Sequence, residues 1–300
     1  DVIEHTLNLI MFCKSVGIPF KVYGFTTHIE SEFSGVKCRK DLPMNSLSMM
    51  STNIFELVDS KMKPNDYELS LRHLHSQSSN KEFIKGKSCV ISNYEIMNGT
   101  PLNEVLIAAH TLVSDFKVNH NVQKMNVMIL TDGSSQPLEY GLDFSRQSNI
   151  RKNQYDLAQT KFSINLFGRE VCFGKNQQQN YSLLIENLKI TCGCTLTGFF
   201  IDDNNINIAS SVMDSIRHSH ADNISYKEAS TRVDIEMKSL EKNRIIFIQN
   251  GYNYDGYFLM NSRHMSINDN TTFDIDTAKE SSFKKLESEF KKFNFRCISD

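Results

Sequence analysis

Residues 124–135 read KMNVMILTDGSS. The apolar, partly β-branched run 126–130 ends in Thr131, Asp132 and Gly133, the pattern of a strand buried on both faces that gives way to a loop. In open α/β sheets ligands bind at the carboxyl ends of the strands, so Asp132 falls where such folds place their chemistry. Upstream, residues 97–106 read MNGTPLNEVL. A Gly-Thr-Pro turn opens an apolar-periodic helix there, and the pattern predicts Thr100 as the N-cap with Pro101 at the first helical position. A hydroxyl and a carboxylate at two loop ends are hard oxygen ligands, suited to Mg²⁺ or Mn²⁺ rather than zinc.

The order GTPLNE, helix, strand and LTDG resembles a von Willebrand factor A domain, in particular the intracellular, cobaltochelatase-subunit-like type of bacteria and their phages. The resemblance implies a Rossmann-like, three-layer αβα fold around a mostly parallel sheet. It also implies a metal-ion-dependent adhesion site (MIDAS) made of a DxSxS loop, a Thr in the second loop and an Asp in the third. Thr100 matches the second part and Asp132 the third. No Asp-x-Ser-x-Ser stands near the start, and residues 1–16 read as the helix that follows that loop. The expectation is therefore a fragment cut just after the metal-binding serines, lacking the first, central strand.

Composition sets wider bounds. The chain has 300 residues, 40% hydrophobic and 10% aromatic, enough for a sizeable core. A formal net charge of −2 gives no global electrostatic reason to hold nucleic acid or an anionic membrane. No apolar run approaches the roughly 20 residues of a membrane helix. Seven scattered cysteines, without a disulfide rhythm, point to the cytoplasm.

Taken in order, Ile3, Leu7, Ile10, Met11 and Val16 form a helical stripe that Gly17 and Pro19 stop. FKVYGF at 20–25 alternates as a strand. Residues 49–62 read as a helix with Ile54, Leu57 and Val58 inward, and 67–75 as another. His73 and His75 lie two apart, so on a helix they do not share a face, and packing outweighs metal binding. Residues 102–117 carry a broad helical stripe, 139–180 form a polar excursion containing a hairpin at 162–172, and NQQQN at 176–180 reads as its tip. A helix at 181–191 leads to the strand TLTGFFI at 195–201. Cys192 and Cys194, with no second pair, read as packing residues. Asp202 and Asp203 end that strand, adding negative potential at the rim or capping a helix at 206–218. A charged helix at 225–242, a strand at 244–248, a tyrosine-rich run at 252–260 and a final helix at 277–293 complete the pattern, with the tyrosines expected to pair across strands. The simplest division is one domain, 1–300, with a strand-plus-helix extension at 244–300. Strands 20–25, 126–130 and 195–201 are expected in one sheet, with a strand-wide gap between the first two.

For function, the resemblance implies a metal-dependent protein-binding module. Mg²⁺ is held by the first-loop serines and Thr100, Asp132 acts through water, and an acidic side chain of the partner completes the six oxygens. An AAA+ ATPase is the partner expected by analogy. In a fragment without the first loop, Thr100 and Asp132 supply too few ligands for tight binding. Two readings stand against this. One is a metal hydrolase or peptidase-like enzyme, for which no His-Glu-x-x-His, Gly-x-Ser-x-Gly or phosphate loop occurs in the sequence. The other is a metal-free scaffold.

Overall fold

A computed structural model describes residues 2–27, 47–48, 52–78, 99–135, 139–140, 162–174, 177–219, 224–243 and 245–262. Two of the expected features, most of the polar excursion and the final helix at 277–293, lie outside these residues.

The first helix, α1 (Val2–Val16), ends where the stripe stops. Gly17 takes φ +73°, and its N–H and that of Ile18 donate to the carbonyls of Lys14 and Cys13 (3.3 and 2.9 Å), a left-handed cap that suits a residue without Cβ. Strand β1 (Lys21–Thr27) follows, then the two-residue β2 (Leu47–Ser48) and β3 (Thr52–Asp59). The helix expected over 49–62 is thus a strand. Ile54, Leu57 and Val58 fit a helical period, but TNIFELVD is rich in β-branched and aromatic residues, and antiparallel pairing with β1 decides the conformation. Phe55 covers Gly24 of β1, where a Cβ would come within 2.6 Å of its ring. Helix α2 (Pro64–Ser78) then packs on α1.

Helix α3 (Leu102–His120) ends in Asn121 at φ 50°, and β4 (Asn126–Thr131) follows. The two-residue β5 (Glu139–Tyr140) pairs with β2. Strands β6 (Phe162–Leu166) and β7 (Arg169–Phe173) form the expected hairpin. Helix α4 (Gln177–Cys192) begins inside NQQQN, so that run is a helix start rather than a tip. Asn180 is the reason: it is buried, its Oδ1 accepts from the Gly174 N–H (2.8 Å) and its Nδ2 donates to the Gly174 carbonyl (2.9 Å). Next come β8 (Thr195–Asp202), α5 (Asn205–Ser219), α6 (Tyr226–Asn243), β9 (Ile245–Ile248) and β10 (Gly256–Asn261). Ser225 opens α6 with a reciprocal cap: its Oγ accepts from the Glu228 N–H (3.2 Å), and Glu228 Oε2 accepts from the Ser225 N–H (2.9 Å).

The chain is a mixed helix-and-strand protein whose largest sheet runs β4-β8-β10-β9, the first three strands parallel and β9 antiparallel. Strands 126–130 and 195–201 share this sheet as expected. Strand 20–25 does not: β1 pairs only with β3, in a sheet of two. The expectation of one sheet is corrected on that point, because among the described residues no strand bridges β1 and β4.

The core divides accordingly. The larger cluster joins one face of the four-stranded sheet (Ile129, Leu196, Phe200, Ile246, Leu259) to α3, α4, α5 and α6 through Leu106, Leu184, Ile208 and Val233. On the opposite face Phe199, Phe258 and Phe247 stack in a row, with centroids 5.1 and 5.0 Å apart. Met128 and Phe247 there are 41% and 46% exposed. The smaller cluster (Ile10, Val58, Leu74) lies between α1, β3 and α2. Polar bridges tie it to α3: His120 Nε2 lies 3.3 Å from Asp59 Oδ1, and Lys61 Nζ donates to the Asn119 carbonyl. Burial alone would raise the Asp59 carboxyl, but the Lys61 N–H, His120 and Lys21 outweigh it and hold the group below its usual value.

Candidate functional site

The parallel strands carry their chain toward one rim, and β4 ends there in a loop fixed by its own side chain. Thr131 Oγ1 accepts from the Gly133 N–H and donates to the Gly133 carbonyl, both at 3.1 Å. Asp132 lies between them with its side chain exposed. Glycine is needed at 133 for space, not for a left-handed turn. A Cβ there would lie far inside van der Waals contact of Thr100 Oγ1 and 3.2 Å from Thr100 Cβ. The Thr100 hydroxyl therefore sits directly over the Gly133 backbone, and the second and third loops meet at the rim.

Thr100 is not the helix cap. The N-cap position is Pro101 (φ −80°, ψ 54°) and no side chain caps α3. The Thr100 carbonyl instead accepts from the Leu102 N–H at 2.9 Å, and the Pro101 carbonyl from Val105 at 3.0 Å. Gly99, at φ 73°, makes the reversal that delivers this turn to the rim. The hydroxyl is thereby released from the capping role the sequence suggests and turned toward the Asp132 loop.

Beside the loop opens a cleft of about 370 Å³, within the range of small-ligand sites. Asp132, Gly133, Ser134 and Ser135 form one wall. The first turns of α3 and α4 contribute Leu102, Asn103, Gln178 and Tyr181, and α5 contributes Asn207, Ser210, Ser211 and Asp214. Tyr252, Tyr254 and Tyr257 close it against the sheet at Gly198. That glycine sits in mid-strand because a Cβ would meet Tyr254 Cζ at 2.8 Å and Tyr257 Cδ2 at 2.9 Å. The tyrosines expected to pair across strands instead gather around α4. Tyr254 and Tyr257 stack (5.5 Å, 8°), Tyr252 meets Tyr257 edge-on (5.4 Å, 86°), and the Tyr181 and Tyr254 hydroxyls share a hydrogen bond. Burial pushes all four phenols upward, so each stays protonated at neutral pH.

Among the described residues three carboxylates reach this cleft, and no Lys, Arg or His lines it. Asp202 is engaged locally: Oδ1 accepts from the Asn204 N–H (2.8 Å) and Oδ2 from Asn207 Nδ2 (2.9 Å). The cap of α5 is Asn204, whose Oδ1 accepts from the Ile206 N–H (2.9 Å), so Asp202 braces the capping turn and is not itself the expected cap. No group of three or more His, Cys, Asp or Glu is placed to share one metal ion among the described residues. Thr100 and Asp132 offer oxygen donors of the kind a hard cation takes, as do Ser134, Ser135, Asp202 and Asp214, and two such donors leave most of an octahedral shell to others.

The other sequence candidates stand apart from the rim. Within α2, His73 Nε2 meets Gln77 Nε2 at 3.0 Å. Cys192 and Cys194 are both unbridged and half-buried; burial raises the Cys194 thiol to about 11, which suits packing rather than reactivity. Two features escaped sequence reading. One is the tyrosine-walled cleft, whose traces are Gly198 in mid-strand and the spacing of three tyrosines. The other is buried His110, stacked on Phe167 (4.1 Å, 6°), with Nδ1 3.1 Å from the Leu106 carbonyl and Nε2 3.2 Å from Asn187 Nδ2.

No family model matches the chain, and no curated protein and no solved structure matches it either. No helix among the described residues is long and apolar enough to cross a membrane.

Proposed function

We propose that this chain carries the ligand-binding rim of a von Willebrand factor A-type module. In this reading Mg²⁺ or Mn²⁺ is held beside Thr100 and Asp132, and an acidic side chain of a protein partner docks on the metal. The role is binding rather than catalysis, and an AAA+ ATPase subunit is the partner class that the sequence resemblance suggests. The observation that carries the reading is the meeting of Thr100 with the Asp132 loop, close enough that a Cβ on residue 133 would collide with the Thr100 hydroxyl. Two loops 30 residues apart have no packing need to bring a hydroxyl over a carboxylate-bearing turn, and a hard cation that takes six oxygens gives that approach a purpose. A third group of ligands, the DxSxS loop, belongs to the same reading, and no such motif stands in the present sequence.

Paramagnetic Mn²⁺ titrated into the isotope-labelled chain tests the proposal by NMR. The amides of Thr100, Asp132 and Gly133 should broaden first, and Asp132→Ala should remove that broadening while leaving the spectrum otherwise intact. Broadening centred elsewhere, or unchanged in the variant, would overturn it. Affinity in the present chain should be weak, because ligand count and charge set the strength of such sites.

A further inference from the structure

The described walls of the cleft beside Asp132 carry three aspartates and four tyrosines and no basic side chain. We infer that it receives an arginine side chain of the protein partner, with Asp214 as the countercharge and Tyr257 as a hydrogen-bond acceptor. This rests on the reading of the rim as a protein-binding site, though not on the metal.

Tyr257 is 7% exposed and lines the cleft, and its hydroxyl makes no hydrogen bond among the described residues, its interactions being ring contacts and the electrostatic influence of neighbouring groups. A phenol that deep ordinarily has a partner, as Tyr181 and Tyr254 have in each other. Asp214, partly buried on the third turn of α5, has no ion pair among the described residues, and its negative charge is felt at both Tyr252 and Tyr257. A buried-side carboxylate and a buried phenol facing one hollow call for a donor-rich, positively charged group.

Charge and shape narrow the class. The first turns of α3, α4 and α5 border the cleft, and helix N-termini alone would favour an anion. Their field fades within a turn, Asp202 already accepts from groups at the start of α5, and Asp214 lies beyond that reach. With Asp132, Asp202 and Asp214 present and no basic residue among the described lining residues, an anion is repelled. A bare metal ion is a poor fit as well, because the carboxylates are spread along the cleft instead of converging. A guanidinium suits both ends of the problem. Its planar face stacks on tyrosine rings, its fork gives several N–H donors to Asp214 and Tyr257, and its aliphatic stem packs along the aromatic wall.

The test uses the full chain and three acetylated, amidated tripeptides, Gly-Arg-Gly, Gly-citrulline-Gly and Gly-Asp-Gly, followed by NMR titration in EDTA and then in Mg²⁺. The arginine peptide should bind in EDTA and shift the signals of Ser211, Asp214 and Tyr257. Citrulline, which keeps the shape but not the charge, should bind about tenfold more weakly or worse. Asp214→Asn should weaken the arginine peptide by a similar factor, and Tyr257→Phe, which keeps the ring, by a smaller one. Equal binding of arginine and citrulline peptides, or arginine binding indifferent to Asp214→Asn, would overturn the inference. Binding of the aspartate peptide that requires Mg²⁺ reports on the metal reading, so the two ideas fail separately.

Discussion

At the scale of single residues, Gly133 is the decisive position. Its partner Thr100 was legible in the sequence as a residue of interest, yet for the wrong local reason, since it caps nothing. Pattern reading sees a hydroxyl ahead of a helix and assigns the common role; the close approach of a loop 30 residues away leaves no periodic trace. Gly133→Ala should destabilise the chain by about 1–3 kcal/mol through overpacking, and Thr100→Ala in that background should recover part of the loss. Urea unfolding of the four variants measures the coupling, and additive effects would show that the loops do not meet. Tyr181→Phe should cost about 1–2 kcal/mol by stranding the buried Tyr254 hydroxyl, whereas the double change to phenylalanine at 181 and 254 should recover most of it. His110 adds a pH signature. Burial holds its pKa below the ordinary 6.5, against the raising effect of the Leu106 and Ile107 carbonyls. The unfolded chain therefore binds the proton more readily, and stability falls as pH drops below about 6.5. His110→Gln should flatten the change in urea midpoint between pH 7.5 and 5.5, and a wild-type midpoint that rose with acid would contradict this account.

At the scale of elements, the sequence read best where one periodicity ruled. Helices α1, α2, α3 and α6, the 162–172 hairpin and strands β4 and β8 were all legible, because their apolar spacing matches their burial. It read worst where tertiary partners decide. Strand β3 has a period that fits either state until β1 is beside it. The start of α4 depends on Asn180 gripping Gly174, a contact invisible in a run of amides. That grip is a prediction in itself. Asn180→Ala should cost about 2 kcal/mol, two buried hydrogen bonds at roughly 1 kcal/mol each, and should loosen the hairpin from α4. Hydrogen exchange in residues 169–174 reports it, and unchanged protection there would mean that the hairpin is held by packing alone. The tyrosine cluster belongs to the same class of failure. Three aromatic residues near a strand suggest cross-strand pairs, but a 3₁₀ turn at Gly251–Asn253 places Tyr252 outside the strand, and Tyr252 and Tyr254 turn to Tyr181 of α4 while Tyr257 packs on both of them.

At the scale of the whole molecule, the two cores are unequal. The larger cluster unites four helices with one sheet face, while the smaller rests on Ile10, Val58 and Leu74. Apolar burial is the main source of stability, so the small core should open at lower free energy than the large one. Hydrogen exchange followed by mass spectrometry should show α1, β1, β3 and α2 exchanging well before β8 and α4, and uniform protection would refute the division. The bridges at Asp59 and Lys61 then acquire a mechanical meaning. Tension applied at residue 2 and resisted at residue 262 would load α1 and β1 first, and among the described strands β1 pairs with β3 alone. It passes to the large core by several routes at once: the packing of Phe25, the contact of α1 with β4, and the contacts of Asp59 with His120 and of Lys61 with Asn119. A pull on the first helix would therefore be felt at β4, the strand that carries Asp132, and would not be spent in the small core alone.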